Sequence, residues 1–183
     1  MLYRHNVFSE DEIKLHVVHF KQCDTKKCTA LKLARFNKIK IHRTLKTIPR
    51  KAIVLNPFSE IALSPEDSKL AKRWGIVALD CSWSQAKKIF KHRIIGNSRC
   101  LPYLVTGNPV NYGSIGKLST VEALSGSLYI LGCLSQSKRL LSLFKWGHTF
   151  LELNRELLQV YQKARDSVEV ISSQKAFIEN HRW

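Results

Sequence analysis

The stretch of residues 75–90 constrains the fold more than any other part of the chain. A short apolar run over 75–79 ends abruptly in an acid, a thiol, a hydroxyl and an indole at 80–83, and helix-forming residues follow. This order predicts a buried strand that delivers polar groups at its carboxyl end, where ligands bind in open α/β sheets. Burying a carboxylate there costs free energy unless the group is paired with a partner or takes part in binding or catalysis. Asp80 is therefore a candidate functional residue, although Asp80 or Ser82 acting only as the cap of the next helix stays open.

The flanking patterns predict an α/β fold with a parallel sheet. A β-branched run over 13–20 and an apolar run over 52–55 precede the strand at 75–79. A helix lies between the last two, because Ser64 and Pro65 form a strong start signal and Gly75 a stop signal. Strand, helix and strand at this spacing form a parallel βαβ unit. Further elements are predicted as a strand over 101–105 and helices over 30–35, 84–91, 118–134, 136–146, 149–165 and 166–180.

The chain carries a net charge of +16, and the excess is concentrated in one segment. Residues 21–51 contain eleven Lys and Arg against one acid, Asp24. Such a field suits a polyanion, of which nucleic-acid phosphate is the commonest in a cytosol. A solvated basic face, as in thermophile proteins, is the alternative, but such faces usually balance their charge with Glu. The residues that we expect to contact RNA are Lys26, Lys27, Arg35, Lys38, Lys40 and Arg43.

The apolar content, 44%, is enough for a core, yet it never forms a membrane-length run. The first five residues lack the apolar stretch of a signal peptide. We therefore expect a cytoplasmic protein. Its five cysteines, an odd number, are not expected to form structural disulfides.

One spacing of ligand-type residues, His16-x2-His19-x3-Cys23-x4-Cys28, is similar to a zinc pattern. Structural zinc sites more often use close cysteine pairs with histidines further along the chain. An odd separation also places His16 and His19 on opposite faces of a strand. We therefore predict no metal ion.

Two loops carry further candidates. After the first strand, Thr29 offers a hydroxyl at a helix start, where it can cap the helix or receive a carboxylate. The second loop, over 106–116, bears three glycines and leads into an apolar helix. Gly116 allows a ligand to approach the backbone closely, and Ser119 and Thr120 lie near free backbone N–H groups.

Taken together, ordered motifs from about residue 13 to residue 165 resemble the small-subunit ribosomal RNA aminocarboxypropyltransferases, ribosome-biogenesis enzymes of archaea and eukaryotes. No single motif is specific, but the ordered set is. The motifs are Asp24-x2-Lys27-Cys28-Thr29, Leu55-x-Pro57-Phe58-Ser59, Ser64-Pro65-Glu66-Asp67, Asp80-Cys81-Ser82-Trp83, Leu101-Pro102-Tyr103-Leu104, Asn108-Pro109-Val110-Asn111-Tyr112-Gly113 and Lys117-Leu118-Ser119-x-Val121-Glu122-Ala123.

The resemblance implies a SPOUT-like α/β core with a deep trefoil knot over residues 76–183, including a helical C-terminal third, and a small N-terminal α/β region over residues 1–75. It implies S-adenosylmethionine as donor of its 3-amino-3-carboxypropyl group. The implied acceptor is N3 of a uridine-type base, often N1-methylpseudouridine, in small-subunit rRNA. The expected partner is that rRNA or a pre-ribosomal particle and not a membrane, and the expected state is a monomer.

The resemblance also assigns roles to residues. Thr29 is expected to hold the amino-acid end of the donor. Trp83 is expected to pack against the methionine portion of the donor. Asp80 aligns with an acidic position proposed to assist catalysis. The chain departs from the usual pattern at Gly107 and at 114–115, where the family more often has Ala and an Arg-Pro pair. The adenosine pocket is expected to be lined by Leu55, Leu79, Leu101, Gly116 and Thr120.

Two other functions stay open at this point. A knotted RNA methyltransferase would use the same donor and the same charge field, but it would release S-adenosylhomocysteine instead of methylthioadenosine. A non-catalytic assembly factor would bind pre-rRNA without binding the donor, and it would be indifferent to changes at Thr29 or Asp80.

Overall fold

The structure is a computed structural model that describes residues 12–22, 24–25, 27–90 and 96–180. Five strands and eight helices are defined over these ranges. They are, in chain order, β1 (Leu15–His19), α1 (Thr29–Arg35), β2 (Lys40–His42), β3 (Ile53–Leu55), α2 (Ser68–Trp74), β4 (Ile76–Asp80), α3 (Trp83–Phe90), β5 (Asn97–Arg99), α4 (Thr120–Ile130), α5 (Leu134–Leu141), α6 (Gly147–Leu153), α7 (Arg155–Lys163) and α8 (Ser167–Asn180), with 3₁₀ turns at Leu45–Thr47 and Pro65–Asp67.

The five strands form one parallel sheet in the order β2-β1-β4-β3-β5, so the predicted parallel α/β class is confirmed. The β1–β4 register pairs Leu15 with Ile76 and His19 with Asp80. All strands therefore end at one edge of the sheet, which we call the carboxyl edge. The sheet takes strands from both sides of residue 75, and the division of the chain at that point stays a prediction.

Successive side chains of the central strands point to opposite faces of the sheet, and both faces are buried. Ile76 and Ala78 of β4 join the main core under α1, α4 and α7. Val77 points to the other face, where it packs with Val18 and Val54 in a smaller cluster. A parallel sheet covered on both sides reads as near-continuous apolar runs, which is the pattern seen at 52–55 and 75–79.

The helix start predicted at Ser64 is confirmed. Ser64 and Asp67 form a reciprocal capping box, Pro65 begins a 3₁₀ turn, and α2 continues to Trp74. The helix ends at Gly75, whose φ is +83°. A Cβ at that position would lie 2.5 Å from the backbone oxygen of Lys14. Only glycine fits this reversal into β4.

The strand predicted over 101–105 is wrong. The fifth strand lies earlier, at Asn97–Arg99, and pairs with β3. Pro102 has no N–H to offer a ladder, and within 101–105 the structure has only an isolated bridge from Val105 to Ile115. Conversely, β2 lies within the basic segment and was not predicted. Its three residues are too few to show an alternating apolar pattern.

Two long helices predicted in the C-terminal third are interrupted. The one predicted over 118–134 ends at Ile130, and Gly132 follows with φ +84°. The one predicted over 149–165 is divided by Asn154, which is fully buried and bonds through its side chain to Val105 and Phe150. No described helix has both the length and the apolar character needed to cross a membrane.

A buried histidine pair joins β1 to β2. His16 Nδ1 lies 3.0 Å from His42 Nε2, and His42 Nδ1 lies 3.0 Å from the Thr47 hydroxyl. Burial, with smaller contributions from the charges of His42, Lys40 and Lys14, lowers the pKa of His16 from 6.5 to about 4. The pKa of His42 is lowered as well, first by burial. The folded state therefore holds this pair neutral.

We expect this pair to make stability depend on pH. Below about pH 6.5 the unfolded chain takes up a proton at His16 that the folded chain refuses, so stability falls as the pH approaches 4. Urea unfolding should show a loss of about 1–2 kcal/mol between about pH 7 and pH 5 after allowance for solvent screening. His16→Gln should remove most of this slope, and His148→Gln, at an exposed histidine, should keep it. Equal slopes in both variants would contradict the assignment.

Candidate active site

A cavity of about 1190 Å³ opens at the carboxyl edge of the sheet, beyond the ends of β3 and β4. Its walls come from the loops that follow β1, β3, β4 and β5 and from the start of α4. The structure brings together there all eight residues expected to act on the donor. These are Thr29, Leu55, Leu79, Asp80, Trp83, Leu101, Gly116 and Thr120.

Asp80 connects three elements at the floor of this cavity. The Thr120 hydroxyl, in the first turn of α4, donates to Asp80 Oδ1 at 2.5 Å. The other oxygen, Oδ2, lies 3.2 Å from His19 Nε2 at the end of β1 and 3.5 Å from the Cys28 sulfur, which donates to it. The side chain is 14% exposed. The carboxylate is thus oriented by the fold and lines the cavity.

The start of α1 is capped by Cys28, so the helix cap, one of the two roles left open for Thr29, is wrong. The Cys28 sulfur accepts the N–H of Leu31 at 3.5 Å, and Cys28 is 6% exposed. Thr29 is the first helical residue, and its hydroxyl oxygen accepts the N–H of Val121 at 3.4 Å. This contact ties α1 to α4 across the cavity.

The loop between β5 and α4 is held by one buried carboxylate. Glu122 has 0% exposure and accepts five hydrogen bonds. The donors are the N–H groups of Gly107 (2.7 Å) and Asn108 (3.0 Å), the Asn108 side chain (2.7 Å), and the N–H (2.8 Å) and hydroxyl (2.6 Å) of Ser119. Both ends of the cavity-lining loop are therefore fastened to α4.

Glu122 is the residue that sequence reasoning missed. Ser119 and Glu122 form a capping box at the start of α4, and the S-x-x-E spacing before an apolar run could have shown it. Gly107 has its own packing reason: a Cβ there would lie 2.7 Å from the backbone nitrogen of Phe150. The loop thus lies so close to α6 that a side chain at this position would require the neighbouring backbone to shift.

Trp83 and Cys81 follow β4 on the cavity wall. The indole of Trp83 is a large apolar surface that stays 42% exposed. Burial, and secondarily the charge of Asp80, raises the pKa of the Cys81 thiol to about 11. Cys81 therefore stays a neutral thiol at physiological pH and is no nucleophile.

The expected RNA contacts are divided between two edges of the sheet. Lys27 is exposed and lines the cavity, and Arg43 follows the end of β2 at the same edge. Arg35, Lys38 and Lys40 are exposed at the opposite edge, because α1 runs antiparallel to the strands. Lys26, also expected to contact RNA, lies outside the described residues.

Comparisons with known proteins agree with one family. Residues 53–178 match the family described as "Ribosome biogenesis protein, C-terminal". The 16S rRNA aminocarboxypropyltransferase of Methanothermobacter thermautotrophicus is 52% identical over 169 residues, covering 91% of this chain and 99% of the relative. The enzyme of the same name from Methanocaldococcus jannaschii is 44% identical over 90% of this chain and 96% of its own. The chain belongs to the small-subunit rRNA aminocarboxypropyltransferase family.

A solved structure agrees with this family assignment. The SAM-dependent rRNA:acp-transferase Tsr3 from Vulcanisaeta distributa is similar with a TM-score of 0.83 at 31% identity, and the match covers 91% of this chain and 89% of that one. The two chains thus share one fold over most of their lengths.

Residues 13–47 match a second description, "Possible Fer4-like domain in RNase L inhibitor, RLI". Iron–sulfur clusters are usually held by four cysteine thiolates. This segment contains only two cysteines, Cys23 and Cys28. The donor set does not fit an iron–sulfur cluster.

We expect Glu122→Gln to destabilise the protein and to weaken donor binding. The amide would place an NH₂ group among five hydrogen-bond donors and leave some of these buried donors without an acceptor, at a cost of about 2–4 kcal/mol. Urea unfolding measures the first effect, and calorimetry with S-adenosylmethionine measures the second. Glu156→Gln, on the exposed face of α7, is the matched control. A stability change no larger than that of the control would show that Glu122 does not hold the loop.

Proposed function

We propose that this protein transfers the 3-amino-3-carboxypropyl group of S-adenosylmethionine to N3 of a uridine-type base in small-subunit rRNA during ribosome biogenesis. One observation carries the proposal: the residues that the family resemblance assigns to the donor line one cavity, in a chain 52% identical to a 16S rRNA aminocarboxypropyltransferase. N1-methylpseudouridine is the proposed acceptor, and the proposed agent is a cytoplasmic monomer acting on rRNA or a pre-ribosomal particle.

The cavity suits the proposed donor on both of its ends. Leu55, Leu79 and Leu101 offer apolar surface for the adenosine, and Gly116 and Thr120 complete that wall with backbone and hydroxyl groups. The amino-acid end is assigned to Thr29. Lys32, which also lines the cavity, supplies a positive charge on the same helix for a carboxylate.

Selection of the transferred carbon is the main task of the site. The sulfonium already carries methylthioadenosine as a good leaving group, and any of three carbons on sulfur can in principle be attacked. We propose that the apolar wall buries the methyl group and that Trp83 holds the aminocarboxypropyl arm toward the cavity mouth. A nucleophile in line with that carbon then reacts without competition from the methyl group.

Asp80 is proposed to assist the acceptor. Uracil N3 is a weak nucleophile until it loses its proton, and Asp80 lies beside Trp83 on the cavity side of β4. Its carboxylate is kept in place by Thr120 and by its contact with His19, at 2.5 Å and 3.2 Å. In this role Asp80 accepts the N3 proton or orients the ring while N3 displaces the sulfur from the transferred carbon.

A knotted SPOUT-like core is part of the proposal. After β5, at the sheet edge, the chain forms the loop fastened by Glu122, and α4 then returns to pack against β4 and α1 near the middle of the sheet. We propose that this return passes through a loop of the chain and so produces the trefoil knot. The same segment forms the wall of the donor cavity.

Mass spectrometry of rRNA tests the function directly. Small-subunit rRNA or pre-ribosomal particles that lack the modification are incubated with purified protein and S-adenosylmethionine. We expect one nucleoside to gain the aminocarboxypropyl mass and methylthioadenosine to accumulate. A gain of a methyl mass with S-adenosylhomocysteine would identify a methyltransferase. If the protein neither binds the donor nor adds mass to the rRNA, it is a non-catalytic assembly factor that binds RNA.

We expect Asp80→Asn to separate catalysis from binding. The amide keeps the shape of the side chain but cannot accept the N3 proton, so transfer should fall about 10²–10⁴-fold. The donor affinity, measured by calorimetry, should change far less. Glu60→Gln, at an exposed acid, is the control for a general loss of negative charge. Transfer and donor affinity falling together would assign Asp80 to binding alone.

RNA affinity should depend steeply on salt. Phosphate contacts release counterions, and each contact adds about 0.7–0.9 to the slope of log affinity against log salt. The triple variant Lys38→Ala, Lys40→Ala, Arg43→Ala should reduce that slope by about 2–3 and leave donor affinity unchanged. Lys163→Ala with Lys175→Ala, at exposed lysines of α7 and α8, is the control. A wild-type affinity that does not respond to salt would remove the basic segment from the interface.

A further inference from the structure

A cluster of metal-ligand atoms lies in the wall of the donor cavity. His19, Cys28 and Asp80 each offer one ligand-type atom, and these atoms lie within 4.8 Å of one another. Cys28 is 6% exposed, and the side chains of His19 and Asp80 are 9% and 14% exposed. Cys28 and Asp80 line the cavity, whereas His19 contacts them from the end of β1.

The three distances within this cluster are those of a tetrahedral zinc site. Oδ2 of Asp80 lies 3.2 Å from His19 Nε2, and the Cys28 sulfur lies 3.5 Å from each of those two atoms. Zinc bonds of about 2.0–2.2 Å to nitrogen and oxygen and about 2.3 Å to sulfur, at tetrahedral angles, separate the ligands by about 3.3 Å and about 3.5 Å. A zinc ion therefore fits among these atoms without displacing them.

We propose that His19, Cys28 and Asp80 form a zinc site, with water or another group as the fourth ligand. One imidazole, one thiolate and one carboxylate suit zinc better than magnesium or calcium, which prefer oxygen ligands, or an iron–sulfur cluster, which takes thiolates. The site goes beyond the proposed transfer reaction and does not depend on it.

The surroundings support two of the three ligands. The Thr120 hydroxyl donates to the second oxygen of Asp80 at 2.5 Å, which orients the carboxylate as outer hydrogen bonds do in metal sites. The Cys28 sulfur accepts the N–H of Leu31 at 3.5 Å, an interaction that favours the thiolate. These contacts can persist when the metal is bound.

His19 changes its proton when zinc enters. The N–H of Lys21 points at His19 Nδ1 at 3.2 Å, so without metal the imidazole proton lies on Nε2 and faces Asp80. Zinc takes the lone pair of Nε2, and the imidazole proton moves to Nδ1, which releases Lys21. The thiol proton of Cys28 goes to solvent. The contact between His19 and Asp80 and the zinc site are thus alternative states of the same three side chains.

The proposed site differs from the zinc pattern His16-x2-His19-x3-Cys23-x4-Cys28 in its ligand set. His16 and His19 do point to opposite faces of β1, and His16 pairs with His42. The partner that joins His19 and Cys28 is Asp80, which comes from β4 and is distant in the sequence. The proposed site therefore needs a ligand from outside the segment 16–28.

Zinc and cobalt binding to the full-length protein test the proposal. The protein is stripped with chelator, exposed to a small excess of Zn²⁺ and dialysed, and its metal content is measured by mass spectrometry. We expect about one zinc per chain. Co²⁺ in place of zinc should give an intense tetrahedral visible spectrum and a thiolate-to-metal charge-transfer band. No retained zinc, or a cobalt spectrum without the thiolate band, would overturn the site.

Variants locate the metal. Cys28→Ser keeps a helix-capping oxygen at the start of α1, so its fold should persist while zinc affinity falls by at least about tenfold. His19→Gln should have a similar effect, and circular dichroism checks that both are folded. Cys100→Ser and His148→Gln, outside the cluster, should bind zinc as the wild type does. Zinc retained equally in all four variants would refute the assignment. If zinc does not bind, the zinc site is refuted. The proposed transfer reaction is tested separately, by the mass of the rRNA.

Discussion

The wall of the candidate active site depends on the buried carboxylate of Glu122. A charge with no exposure is tolerated only if its hydrogen-bonding capacity is filled. Glu122 meets this condition with two residues near the start of the loop and one at the start of α4. The loop is therefore fixed at both of its ends to the first turn of α4. Without that carboxylate, α4 would still pack on the sheet, but the segment that covers the cavity would lose its anchor.

A second carboxylate, Asp80, performs the corresponding task at the floor. It ends the central strand β4 and contacts the end of β1 and the start of α4. Parallel strands bring their carboxyl ends to one edge, so residues from distant parts of the chain meet there without any local signal. This convergence gives Asp80 its three candidate roles, as an anchor of the fold, as a proton acceptor and as a zinc ligand.

The sequence was informative where chemistry and local pattern coincide. Asp80 and Trp83 stand out because polar groups follow a buried run, and the start of α2 follows from Ser64 and Pro65. Positions set by long-range packing could not be predicted in this way. Leu101 illustrates the difference: it lines the cavity as expected, although the strand predicted around it lies at Asn97–Arg99 instead.

The distribution of charge connects the fold to its proposed substrate. The basic segment follows the path of the chain from the cavity mouth, along α1, to the far edge of the sheet and back along β2. A helix of this length spans about 10 Å, which is longer than one phosphate-to-phosphate step. A small ligand in the cavity would use the cations at one edge only. Exposed cations at both edges of the sheet are therefore better explained by an extended polyanion. Such a polyanion would lie along α1 and β2 and place one of its nucleotides at the cavity.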